Sequence, residues 1–328
     1  HIWDTSNWNC IKTISNFCGS IYSLDYSPNG MYLASGYGDG TVKIFVIDGS
    51  ILESCSKLKQ YKSDSSYMCE KTLYKHKTSI CSVSFSPDSK LLASSAIYDE
   101  KIMIHETDRW ECVQVIEFGI YRCNSTCFSP DGKYLVNKHN STINILLVSS
   151  WSIVNTINDC RGNVAFSSDG KYLAISVSEY LTRNIYLLCM GTWEQSLVMQ
   201  NTVNADCLTF SADSKHIVHS YKNAGTFVVN LDGTNNKLLV EKQCNISNLK
   251  FSLDGKYMAS LNEDDKLVRI FIMYKWSDRN NLHFSDKLKS IVFYIMCLFC
   301  ERQFDLPLEM MFEILEYIWL FNKCEYQL

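Results

Sequence analysis

Apolar and polar residues alternate in short runs along most of this chain, and Ser79-Ile80-Cys81-Ser82-Val83-Ser84-Phe85 is typical. A period of two gives a strand one packed and one polar face, so each run predicts a half-buried β-strand. A turn phrase follows, such as Ser129-Pro130-Asp131-Gly132. Proline fixes φ, aspartate bonds its own backbone and glycine accepts φ > 0, which together specify a tight turn. A second strand comes next (Lys171-Tyr172-Leu173-Ala174). A third begins soon after, as in Thr41 to Val46, and a fourth, such as Cys112 to Ile116, completes a sheet.

The whole unit recurs. The phrase at Tyr26 returns at Phe85, Phe128, Phe166, Phe210 and Phe251. The intervals fall near the ~40–45 residues of a four-stranded propeller blade. The first interval is longer and holds an insertion from Gly49 to about Glu70, rich in Ser, Lys and Asp, which reads as a surface loop. Four strands per repeat, with radial repetition that shields the sheet edges, is the plan of a β-propeller. Third-strand segments end near Asp4, Ile47, Glu106, Val148, Cys189, Asn230 and Met273, and the first of these has no first and second strand before it.

The repeats resemble the WD40 family over residues 1–276. His1-Ile2-Trp3-Asp4 is similar to the family's terminal Trp-Asp, and Phe-Ser-Pro-Asp-Gly-Lys-Tyr-Leu-Ala-Ser to its internal phrase. The fold class this implies is all-β: a WD40 β-propeller of six recognisable blades over residues 15–276 and part of a seventh. The last of the six has or lacks its outer strand. In the family an N-terminal strand completes the last blade, so the expected parent is seven-bladed and this chain N-terminally truncated. The competing reading is a six-bladed ring in which Cys10 to Ile14 pairs with the last blade. The resemblance also implies a buried His–Ser–Asp set. His76, Ser94 and Asp99 fall at the family's offsets, whereas His105 stands where the family has Trp. Partner binding is implied on the face carrying the loops before each first strand and after each second strand. There the chain offers Tyr37, Tyr98, Tyr121, Arg122, Arg161, Tyr180 and Tyr221. Tyr and Arg are enriched at binding hot spots, and ordinary loop decoration is the alternative for any one of them.

After Trp276 the alternation stops. Lys287 to Phe299 lacks turn signals, and Leu306 to Ile318 reads as a helix with Pro307 near its start, where a missing N–H does no harm. Leu308, Phe312, Leu315 and Trp319, with Ile318 beside them, form a stripe at helical spacing. Residues 277–328 are thus expected to be a small C-terminal helical segment. It resembles an F-box or SOCS box, with Leu306, Pro307, Ile314 and Leu315 in matching places. That resemblance implies docking to a Skp1- or elongin-like adaptor. A helical hairpin capping the propeller is the alternative.

Composition narrows the function. A net charge of -4 does not suggest a nucleic-acid binder, and 46% hydrophobic residues provide an ample core. The 15 Cys are scattered through apolar runs and read as reduced core thiols. A reducing compartment follows, cytoplasmic, with the nucleus not excluded. The apolar stretch Ile291 to Phe299 is too short to span a bilayer, so no membrane role is expected. Cys297 and Cys300 have metal-ligand spacing, but no second such pair accompanies them, only His283 and Cys324, and a helix interior is the simpler reading. No phosphate loop, haem attachment motif or Gly-x-Ser-x-Gly elbow occurs, and no cofactor is expected. Asp88, Asp131, Asp169 and Asp254 are turn formers by the logic that identified the turns. The reading is a non-enzymatic protein-interaction scaffold. The alternatives are a ubiquitin-ligase substrate receptor recruiting its adaptor through the tail, and a propeller enzyme with a site assembled from distant loops.

Overall fold

The computed structural model describes residues 2–3, 10–12, 20–47, 69–74, 76–118, 123–158, 160, 162–178, 183–200, 205–221, 225–234, 237–240, 246–252, 255, 257–262 and 268–272. All regular elements among them are strands. The chain is an all-β propeller of six blades. The tail expected to be helical lies outside the described residues, and with it Leu306, Pro307, Leu308, Phe312, Ile314, Leu315, Ile318 and Trp319.

The contacts divide the chain into two compact units. The larger, essentially His1–Ala205, holds a hairpin and four blades. The hairpin pairs β1 (Ile2–Trp3) with β2 (Cys10–Lys12) in a sheet of their own, whereas the six-bladed reading needed Cys10 to pair with the last blade. Blade 1 is β3 (Ile21–Tyr26), β4 (Tyr32–Tyr37), β5 (Thr41–Val46) and β6 (Cys69–Tyr74). The insertion therefore sits between third and fourth strands, and β6 begins inside the segment read as loop. Blade 2 is β7 (Ile80–Phe85), β8 (Leu91–Ala96), β9 (Lys101–Glu106) and β10 (Cys112–Glu117). Blade 3 is β11 (Cys123–Phe128), β12 (Tyr134–His139), β13 (Thr142–Leu147) and β14 (Ser152–Ile157). Blade 4 is β15 (Val164–Phe166), β16 (Tyr172–Ser178), β17 (Arg183–Cys189) and β18 (Gln195–Met199).

The smaller unit holds blade 5, made of β19 (Ala205–Phe210), β20 (His216–Tyr221), β21 (Gly225–Asn230) and β22 (Lys237–Val240). It also holds blade 6, made of β23 (Ile246–Phe251), β24 (Tyr257–Asn262) and β25 (Val268–Ile272). Blade 6 shows three strands among the described residues.

The turn phrase behaves as its chemistry dictates. Ser86 Oγ donates to Asp88 Oδ1 at 2.6 Å, and Asp88 accepts the Lys90 N–H at 3.1 Å. The pattern repeats at Ser129–Asp131–Lys133 and Ser167–Asp169–Lys171. Burial alone would raise the carboxyl pKa of Asp88, Asp131 and Asp169, but these hydrogen bonds outweigh it and hold all three below the ordinary value. The fourth turn position takes positive φ, with Gly at 30, 132, 170 and 255 but Ser at 89 and 214.

Cores form between successive blades. Ile80, Val83 and Phe85 of blade 2 bury against Ala34, Val42 and Ile44 of blade 1. Blade 3 packs on blade 2 through Phe128, Leu135 and Leu146 against Ala93, Ile102 and Ile104. Each first strand is a sheet edge with free N–H groups, and the neighbouring blade caps them. Val83 N–H donates to Ser23 Oγ (3.0 Å), Phe85 N–H to Asp25 Oδ2 (2.7 Å) and Thr126 N–H to Ser82 Oγ (3.1 Å).

Candidate interaction face

The loop after the second strand of blade 2, Ile97 to Glu100, is the best-defined part of the expected face. His76 reaches it from the segment before β7. Its Nδ1 lies 2.6 Å from Asp99 Oδ2, and its Nε2 lies 2.9 Å from Ser94 Oγ on β8. The His76 and Asp99 side chains are both 2% exposed. Burial depresses the His76 pKa against the opposing pull of Asp99. The ring is therefore neutral. Asp99 can only accept, so Nδ1 carries the proton and Nε2 accepts the Ser94 hydroxyl hydrogen. The structure thus brings together the three residues assigned to the buried set.

Serine, imidazole and carboxylate in that order have the connectivity of a hydrolytic triad. Ser94 is 0% exposed in mid-sheet, however, so no substrate carbonyl can approach its oxygen. What the set can do is mechanical. It ties the loop before β7 to β8 and to the loop after it, and it anchors Asp99 between two residues of unusual backbone conformation. Tyr98 has φ 65° and Glu100 φ 59°. Neither is glycine, and non-glycine residues in that region are uncommon and cost energy unless the surroundings impose them. The result is a tyrosine ring held 65% exposed on an anchored loop.

The other candidates divide. Tyr37 is 1% exposed, with the Lys43 ammonium 4.8 Å above its ring, so it is not displayed on the face. It is the last residue of β4 rather than a loop residue, and Ala96, His139 and Val177, the corresponding residues of blades 2–4, are buried as well. Tyr221 likewise ends a strand, β20. Tyr121, Arg122, Arg161 and Tyr180 lie outside the described residues.

Position 94 carries different polar chemistry from blade to blade. Ser35 donates to the Lys43 carbonyl at 3.3 Å in blade 1. Asn137 stands 3.3 Å from the Thr126 hydroxyl in blade 3, and His219 stacks on Phe227 in blade 5, centroids 5.6 Å apart. Blade 3 has a second buried set, in which Asn144 Nδ2 lies 2.9 Å from His139 Nε2 while its Oδ1 accepts from Thr156. His105, standing where the resembled family has Trp, is 1% exposed. Among the described residues no three His, Cys, Asp or Glu are placed to hold a metal ion.

Sequence reasoning missed a set of tryptophans. Trp110, Trp151 and Trp193 occupy the turn between third and fourth strands, each at positive φ (57°, 55° and 63°). Each packs on the residue that opens the second strand of the preceding blade. Trp110 meets Tyr32 edge-on at 5.0 Å, and Trp193 meets Tyr134 at 5.5 Å. Trp151 joins the cluster containing Leu91. Their recurrence just before each fourth strand, with Trp8 in the same place before Cys10, was the available signal.

Comparison with known proteins follows the same lines. Residues 8–45 and 67–106 match the family described as WD domain, G-beta repeat, and the chain carries WD40 repeats. It is similar to Protein hir1 of Schizosaccharomyces pombe, 29% identical over 196 residues, which is 56% of this chain and 21% of that protein. It is also similar to Protein HIRA of Dictyostelium discoideum, 32% identical over 94 residues, 28% of this chain and 8% of the relative. The chain thus spans about a fifth or less of the length of these relatives. Among solved structures, a chain of the mitotic checkpoint complex superposes with TM-score 0.63 and 16% identity, covering 80% of this chain and 77% of that one, a likeness of fold.

Proposed function

We propose that this WD40-repeat propeller is a non-catalytic platform that binds other proteins through the loops before its first strands and after its second strands. Tyr98 carries the reading. A ring 65% exposed, on a strained loop that a buried His–Asp–Ser set holds in place, is preorganised for contact. Rigid presentation lowers the entropy lost on binding, and Tyr gives a large contact area for few rotatable bonds. The triad-like set supports a structural role, since the Ser94 oxygen has no access to substrate. The reduced thiols of Cys81, Cys112, Cys127, Cys160, Cys189 and Cys207 suit a reducing compartment, and the nucleus fits as well as the cytoplasm.

The test is affinity purification with wild type and Tyr98→Ala, together with melting curves. The platform reading expects Tyr98→Ala to fold like wild type and to lose at least one partner. Full retention of every partner would remove Tyr98 from the interface. We also assign β1 and β2 to the outer half of a seventh blade, for the reasons given next.

A further inference from the structure

Blade-to-blade contact in this protein follows a template, and blade 1 displays half of it unused. In blade 2, Ile80, Val83 and Phe85 of β7 are 0%, 5% and 5% exposed. They seat on blade 1, where Gly36 leaves room that Ile80 fills; a Cβ at Gly36 would collide with Ile80 Cγ2. Ser23 Oγ and Asp25 Oδ2 accept the Val83 and Phe85 N–H groups. β3 carries the same positions as Ile21, Leu24 and Tyr26, and these are 44%, 58% and 45% exposed, with Tyr22 at 57% beside them. The row that buries in β7 is open in β3. A contiguous apolar row of this kind marks a contact surface.

The other half of the observation is the β1–β2 hairpin. In blades 2–4 the third and fourth strands are joined by a turn whose Trp (Trp110, Trp151, Trp193) takes positive φ just before the fourth strand. Trp8 stands in that place before Cys10, and Ile2 pairs with Lys12 as a third strand pairs with a fourth. The hairpin is the outer half of the blade that precedes blade 1 in the chain, and its own sheet has two strands.

We infer that β3 is the docking seat of a two-stranded antiparallel hairpin formed by polypeptide directly N-terminal to β1, which completes with β1 and β2 a blade seated on blade 1. The template states its chemistry. Its second strand carries a glycine or alanine facing Ile21, as Gly36 faces Ile80. Its first strand carries a hydroxyl and a carboxylate two residues apart, facing Leu24 and Tyr26 as Ser23 and Asp25 face Val83 and Phe85. The inference rests on the blade assignment of β1 and β2 and is independent of which partners the loops bind.

Hydrogen exchange and light scattering on residues 1–328, and on the gene product that includes the residues before His1, test it. The longer protein, as a monomer, is expected to slow exchange of the β3 amides about tenfold or more relative to residues 1–328. Leu24→Ser is expected to lower the melting temperature of the longer protein much as Val83→Ser does, while leaving that of residues 1–328 nearly unchanged. A reading frame with no two-strand segment before His1 overturns the inference. So does β3 protection that is already complete in monomeric 1–328, that appears only in a dimer, or that is equally absent from both proteins.

Discussion

At the scale of single residues, polar satisfaction decides what this chain tolerates. Asp99 is the acceptor that keeps His76 oriented and neutral inside the protein. Asp99→Ala leaves a buried ring N–H without that acceptor and should cost about 1–3 kcal/mol. Asp99→Asn keeps an acceptor oxygen and should cost less. Urea denaturation of the two variants checks the order, and equal stability of Asp99→Ala and wild type would show that the set contributes nothing. Ser89 presents the opposite balance. It sits at φ 60° where four other turns have glycine, yet its hydroxyl accepts the Asn29 N–H at 3.0 Å from the turn of the preceding blade. Ser89→Gly relieves about 1 kcal/mol of strain and gives up a bond of about the same worth, so it should be close to neutral. Ser89→Ala loses the bond and keeps the strain, and should be the less stable of the two by about 1 kcal/mol.

At the scale of elements, a blade is stable because its neighbours bury its faces and cap its free edge. The turn tryptophans are part of that joint. Trp110 is 7% exposed and lies against Tyr32 and Phe85. Trp110→Ala should therefore cost about 3–5 kcal/mol, the range for truncating a large buried aromatic. A Trp110→Ala melting temperature within a degree or two of wild type would contradict this packing role. Gly36 belongs to the same joint. Replacing it with Val drives a branched side chain into Ile80, and overpacking of this sort costs about 1–3 kcal/mol.

For the whole molecule, the buried imidazoles and the turn carboxylates set the response to acid. Burial lowers the His219 pKa from 6.5 to about 4. Above pH ~6.5 neither folded nor unfolded chain protonates this ring, and its contribution is fully present. As pH falls from there toward 4, the unfolded chain takes the proton first and stability drops, by about 3 kcal/mol from this residue. His76 and His139, also lowered by burial, act in the same direction. Asp88, Asp131, Asp169 and Asp213 lie below the ordinary carboxylate value, so their contribution is present above pH ~3.9 and is lost as pH falls through their folded values. Denaturation midpoints at several pH values between 7.5 and 4 should fall steadily, and His219→Gln should flatten the curve over that range. A midpoint constant from pH 6.5 to 4.5 would contradict the burial of these rings.

Local physics made much of this protein legible in its sequence. A period-two strand, a Ser-Asp turn that satisfies its own backbone and a repeat of blade length each need only neighbours along the chain, so strand order and turn positions could be read directly. The offsets of His76, Ser94 and Asp99 were legible for a similar reason, because they are fixed by position within one repeat. Contacts between repeats are another matter. Tyr37 looks like a loop aromatic in sequence and is buried because the strand extends through it. The tryptophans look like turn residues and become joints only when the preceding blade supplies Tyr32, Leu91 or Tyr134. Leu24 and Val83 are indistinguishable by pattern, one 58% and the other 5% exposed. Which apolar row is covered depends on what lies against it in space, and hydrophobic alternation along one strand carries no record of that neighbour.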